Sequence, residues 1–247
     1  MTGVIVGQDM LSGDCSDLVL SLSSHLGQDS SIRLILASQS PRRVEILEMM
    51  GLKGRFDVIP SPLDESALQS KLVNENISIP AEYTRILAEE KARALAESLA
   101  LSLTTNQITL VLGSDTVVDI DSRILEKPKD QADAKRMLQR LSGAEHSVHT
   151  GVALYRITPG KKEVDFVDSF TDEAMVTFAM LSDKTIDAYV ATGEPMDKAG
   201  SYGIQGIGGQ LVRQVQGDFF TVMGLPMHRT SRLLAKAVSN LIESVDF

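Results

Sequence analysis

The chain has 247 residues, of which 43% are hydrophobic and 23% charged, and a formal net charge of -9; that suits one soluble globular domain, or two modest lobes, with a real core. The acidic balance argues against general binding to nucleic acid, yet a small anion still binds wherever cations converge. No apolar run reaches the roughly 18 residues of a membrane span, the start lacks the pattern of a secretory or transit peptide, and the single cysteine, Cys15, allows no internal disulfide, which fits a cytoplasmic location.

Residues 1–31 are rich in Ser, Gly and Leu and read as an N-terminal extension, flexible at first, then a short helix around Ser16–Leu26. The regular pattern starts at Arg33, with Arg33–Ala37 as a buried strand. Ser40-Pro41 announces a helix, Ser as N-cap and Pro at the first position, and Gly51 ends it. Phe56–Ile59 reads as a second strand; residues 63–80 carry no clear pattern; Pro80 opens a long helix to about Leu101. Gln107–Leu112 reads as a strand closed by Gly113-Ser114-Asp115, and Thr116–Ile120 with Ile124-Leu125 as a hairpin.

Asp130 caps a helix to about Leu141, and Val148–Ile157 and Val164–Met180 are long strands joined at Pro159-Gly160. Ser182 caps a further helix; after a Gly-rich stretch come two short strands, Leu211–Val215 and Phe219–Val222, and a last helix from Pro226. Strands alternate with helices, and the central hairpins are antiparallel, so the fold class is α/β with a mixed sheet.

Arg42 and Arg43 fall in the first turn of the first helix. That end is already positive, so each cation there costs about 0.3–1 kcal/mol. A bound anion resolves the conflict, since phosphate oxygens take the N–H groups, the hydroxyls of Ser38 and Ser40 and bidentate Arg bonds together; the competing reading is a solvated helix start. Asp115, after an apolar strand and a glycine, is placed to bind a metal or accept a proton, or merely to cap a turn. Asp64-Glu65 is a second acidic candidate. Lys91 on the long helix and Lys127 after the hairpin are solvated residues or phosphate contacts. In Gly200–Gln210 the glycines let backbone turn and approach closely, and Gln205 offers an amide to a base edge. Neither a zinc spacing nor a P-loop nor a nucleophile elbow occurs, and His146 and His149, expected on one strand face, lie far in sequence from His25 and His228.

LASQSPRRVEIL, GSDTVV, LEKPKD, LSGAEHSVHTGVAL, GEPMDKAGSYGIQG and VMGLP, in this order from about Leu34 to the final helix, resemble the Maf family of nucleoside triphosphate pyrophosphatases. The resemblance implies a single Maf-like (inosine triphosphatase-like) domain over residues 32–245, with an elongated mixed sheet flanked by helices and a cleft between two lobes. It implies homodimers and a divalent metal cofactor, Mg²⁺ or Mn²⁺. Asp115 matches the family's proton acceptor; Arg42, Glu65, Lys91 and Lys127 match positions around triphosphate and metal, with Glu65 and Asp115 the expected metal ligands. Arg42, Thr116 and Gln205 match positions that separate subfamilies, and here resemble the dTTP/UTP branch. The expected reaction is hydrolysis to nucleoside monophosphate and pyrophosphate; the rivals are a nucleotide-sensing regulator of cell division without turnover and a pyrophosphatase for non-canonical purine triphosphates.

Overall fold

The computed structural model describes residues 16–102 and 106–243; Cys15 and the first half of the N-terminal extension lie outside them. Seven strands form one sheet in the order β2-β1-β3-β5-β6-β7 (β2 Phe56–Val58, β1 Ile32–Ala37, β3 Ile108–Ile120, β5 Glu145–Ile157, β6 Val164–Phe178, β7 Val212–Gln216), with β4 (Arg123–Leu125) paired to β3. β1 runs parallel to β2 and β3. The other pairings are antiparallel; of these, β3 with β4 and β5 with β6 follow directly in the chain and form hairpins. The mixed α/β sheet expected from the alternating pattern is therefore present.

Helices cover both faces. On one lie α1 (Ser16–His25), α2 (Pro41–Leu47) and α8 (Met227–Glu243) over β1 and β3, with α5 (Gln131–Leu141) and α6 (Asp183–Ala191) over the far ends of β3, β5 and β6. These form two adjoining apolar cores. On the opposite face α4 (Pro80–Ala100) crosses the sheet, with α3 (Glu65–Asn74) beside it. α4 lies very close to the strands: a Cβ added at Gly151 would stand 2.3 Å from the Thr84 carbonyl oxygen, and one at Gly113 2.4 Å from that of Ala88. Real side chains never come so near, so glycine at both positions sets the depth of the long helix.

Several elements differ from their sequence reading. β3 is continuous for 13 residues, so Asp115 sits inside a strand and not in a turn after it. Gly113, Ser114 and Asp115 keep their partners Ala153, Val152 and Gly151 on β5, and that pairing carries the strand through the glycine. Residues 63–80 contain α3, whose N-cap Asp64 accepts from Ala67 N. Phe219–Val222 is helical: α7 (Phe219–Met223) is capped by Asp218 and closed by Gly224 at φ 114°. His146 and His149, three residues apart on β5, face opposite ways, as strand alternation demands; His146 bonds the Tyr202 hydroxyl while His149 lies beside Glu173. The described part of the N-terminal extension forms the short helix expected there, α1, and packs on the body, with Leu22 and Leu26 buried in the core beneath α8.

Candidate active site

β1 and β4 share one edge of β3, because β5 takes the whole of the other. β1 pairs with β3 only as far as Ala37↔Gly113, and β4 begins only at Val118↔Leu125. The edge of β3 from Ser114 to Val117 is thus uncovered, and the chain leaving β1 turns away there into Ser38–Ser40. A cleft of about 460 Å³ opens at this gap. It lies where a parallel strand ends, the usual place for a ligand in an α/β sheet. Ten residues singled out from the sequence line it: Ser38, Ser40, Arg42, Arg43 and Thr116 on one wall, Glu65, Lys91, Asp115 and Lys127 on another, and Gln205 at the rim; Asp64, the other acidic candidate, caps α3 instead.

The arginine wall is tied to the sheet. Arg43 donates from Nε to the Gly224 carbonyl at 2.9 Å, from Nη1 to Ser38 Oγ at 3.1 Å and from Nη2 to Thr116 Oγ1 at 3.2 Å. Thr116 Oγ1 in turn lies 2.9 Å from Thr150 Oγ1, which donates to the Thr221 carbonyl. Three bonds on three elements hold the guanidinium in one orientation, with its remaining N–H groups available to an anion. Burial lowers the Arg43 pKa, and Asp115 opposes that shift. Arg42 is instead paired with Asp197 at 3.0 Å. The conflict of two cations at a helix start is therefore partly met inside the protein, by a carboxylate from across the cleft. Ser40 occupies the N-cap position without a side-chain capping bond, and its N–H donates to Ser38 Oγ.

Opposite lies a buried lysine among carboxylates. Lys91 Nζ, on α4, is 2.6 Å from Asp115 Oδ1 and 2.8 Å from Glu65 Oε2. Burial alone would lower the Lys91 pKa, but Asp115 and Glu65 outweigh it together and hold the ammonium charged. Burial would likewise raise Glu65, yet Lys91, then Lys127 and Arg43, keep its pKa below the usual range. Alternation along β3 explains the layout: Asp115 points toward α4 with Val111 and Val117, whereas Thr116 points toward α2 and α7. One strand thus serves both walls. Lys127, just past β4, is exposed at the mouth.

Glu126, Tyr83, Asp197 and Lys198 escaped the sequence reading. Glu126 is pushed up to about 7 by burial and by the Asp115 charge, against a hydrogen bond from Tyr83 and the attraction of Lys91. Asp115 Oδ2 and Glu126 Oε1 are both buried with no hydrogen-bond partner among the described residues. Such orphaned oxygens are unusual and mark a place meant for another group. The signal for Glu126 was its position right after Ile124-Leu125, where a charge ends an apolar strand. Tyr83, on the apolar stripe of α4, gave no such signal.

A family model described as "Maf-like protein" matches residues 33–237. The dTTP/UTP pyrophosphatase of Bacillus cytotoxicus is 46% identical over 202 residues, covering 82% of this chain and 94% of that protein. The dTTP/UTP pyrophosphatase of Bacillus pumilus is 44% identical over 202 residues, again 82% of this chain and 95% of its own length. A human protein, named a probable bifunctional dTTP/UTP pyrophosphatase/methyltransferase, is 44% identical over 205 residues, and there the match spans only 32% of the longer chain. Agreement that runs from β1 into α8, at such identity and over nearly the full length of the bacterial relatives, shows that the chain belongs to the Maf family.

Proposed function

We propose that this protein hydrolyses nucleoside triphosphates, dTTP and UTP foremost, to the monophosphate and pyrophosphate. The observation that carries the reading is the cleft itself, in which oriented cations on one wall face a buried, tethered carboxylate on the other. Arg43, Lys127 and Arg42 take the phosphates and the charge that develops on the leaving pyrophosphate; for Arg42 this means exchanging Asp197 for a phosphate oxygen. Lys91 fixes Asp115 through Oδ1 and leaves Oδ2 to accept a proton. A water held by Oδ2 loses that proton as its oxygen attacks the α-phosphorus, and the bond to the bridging oxygen of pyrophosphate breaks. Gln205 and Thr116, with Arg42, favour a pyrimidine, Gln205 through the base and Thr116 through its bond to Arg43.

The donor set fits a divalent cation such as Mg²⁺ or Mn²⁺. Glu65, Asp115 and Glu126 offer hard oxygen donors, and two of those oxygens are buried without partners. Among the described residues no three His, Cys, Asp or Glu groups converge closely enough to hold a metal alone, so these carboxylates would hold the ion only together with the phosphates of the substrate. Bound there, the metal would help neutralise the charge of the phosphates.

A panel of triphosphates with Mg²⁺ or Mn²⁺ tests the reading, scored by pyrophosphate release. dTTP and UTP are expected to rank first, and Asp115→Asn to lose at least about 100-fold in kcat. Binding without release would favour a sensor. A purine at the top of the panel would overturn the pyrimidine assignment, and an active Asp115→Asn the assigned base. Membership in the family also supports a cytoplasmic homodimer, to be checked by sedimentation and by cell fractionation; no helix among the described residues is long and apolar enough to cross a membrane.

A further inference from the structure

The segment Gly203–Gly209, which carries Gln205, is held from outside the cleft. Glu194, in the 3₁₀ turn Glu194–Asp197, sends its carboxylate underneath. Oε2 accepts from Ile207 N at 2.9 Å. Oε1 accepts from Gly208 N at 2.9 Å and from the Tyr189 hydroxyl at 2.9 Å. The Tyr189 oxygen accepts in turn from Gly203 N at 3.1 Å. Backbone on both sides of Gln205 is thereby tied to one carboxylate and one phenol.

Three glycines of the segment, Gly203, Gly206 and Gly208, are explained by the same contacts. A Cβ at Gly206 would stand 2.5 Å from Glu194 Oε2, and one at Gly208 2.4 Å from the Tyr189 oxygen. One at Gly203 would lie 2.5 Å from Lys198 Cε and 3.2 Å from Glu194 Oε1. Side chains at these three positions would displace the anchors, so much of the glycine content that stands out in the sequence is the imprint of Glu194, Tyr189 and Lys198. Lys198 belongs to the same unit, donating to the Glu194 carbonyl and to Asp197 Oδ1, both at 2.6 Å, while it lines the cleft. A carboxylate that merely faced solvent would not collect three donors.

We propose that Glu194 is a positioning residue for base selection, fixing Gly203–Gly209 in the shape that presents Gln205 to the nucleobase. The assignment rests on the proposed reading of Gln205 as the residue that meets the base. Fixing the segment beforehand removes an ordering cost that binding would otherwise bear. Burial works against the charged form of Glu194, but the two amides, the phenol and Lys198 prevail and keep its pKa below the usual carboxylate range. The anchor therefore stays ionised at neutral pH.

The test is a double-mutant cycle on kcat/KM across the triphosphate panel, with Glu194→Ala, Gln205→Ala and both together. The readout is the ratio between the wild-type enzyme's best and worst base. Glu194→Ala is expected to lower that ratio about tenfold, with the loss in KM exceeding that in kcat, and to cost nothing further in the Gln205→Ala background. Glu194→Gln, which keeps one carbonyl acceptor, should fall between. If Glu194→Ala does not fold, Glu194→Gln and Tyr189→Phe complete the same cycle. An unchanged ratio, multiplicative losses in the double variant, or an equal loss on every triphosphate would overturn the assignment. A wild-type preference for purines would overturn the pyrimidine reading instead and leave the ratio just as readable.

Discussion

Asp115 has one tethered oxygen and one unpartnered one, and the difference comes from a single neighbour. Lys91 bonds Oδ1 at 2.6 Å, while Oδ2 is buried without a partner. A lysine was readable on the long helix, but as a solvated face residue as readily as anything else; only its burial against two carboxylates separates the readings. His146 shows the same dependence on surroundings. It is buried, bonds the Tyr202 hydroxyl at 2.9 Å, and is pushed down to about 4 by loss of hydration. A histidine whose folded pKa lies below its unfolded value near 6.5 contributes stability that is whole above that value and lost as the pH falls toward 4, because the unfolded chain then binds the extra proton. The loss amounts to roughly 3 kcal/mol at full protonation. His146→Gln, which cannot titrate, is expected to flatten the decline of urea-unfolding free energy between pH 6.5 and 4; an unaltered slope would assign that decline to the carboxylates.

At the scale of elements, the active site depends on how deeply α4 sits on the sheet. Lys91 reaches Asp115 because Gly113 and Gly151 let the helix backbone descend onto β3 and β5. Gly151→Ala is expected to lift the helix, to cost about 1–3 kcal/mol in stability, and to lower kcat even though residue 151 touches no substrate. Chemical denaturation and steady-state kinetics on one variant check both effects; a loss of stability with kcat intact would show that Lys91 keeps its place without that close approach. The uncovered edge of β3 belongs to this scale too. Neither β1 nor β4 is notable by itself, but the interval between their ends makes the cleft.

For the molecule as a whole, the N-terminal extension is the longest part the family model does not cover, since the match runs from residue 33 to 237. Its described portion is nevertheless built in. Leu22 and Leu26 are buried beneath α8, and Gln107 Nε2 donates to the carbonyls of Gln28 and Gly27. The cleft lies elsewhere and takes no described residue from the extension. Deletion of residues 1–31 is therefore expected to cost about 2–4 kcal/mol, seen as a fall in Tm of roughly 5–15 °C, with kcat on dTTP retained. A deleted form that folds but is inactive would give the extension a part in turnover.

Local chemistry was legible in the amino-acid order. Asp130 and Ser182 mark helix starts because capping acts within one turn, Pro41 marks one because its fixed φ suits the first helical position, and apolar runs mark strands covered on both faces of the sheet. The candidate residues were legible as well, since charge on an apolar background stands out at short range. What tertiary structure decided were the relations that cross long stretches of chain. β5 pairing carries β3 through Gly113, which placed Asp115 inside a strand. Asp218 and Gly224 close Phe219–Met223 into a helical turn against the sheet. Glu126 and Glu194 acquire their importance from Tyr83, Asp115 and the glycine segment, which no short window contains. Capping and periodicity are encoded over a few residues, whereas desolvation and hydrogen-bond partnership depend on what folding brings alongside.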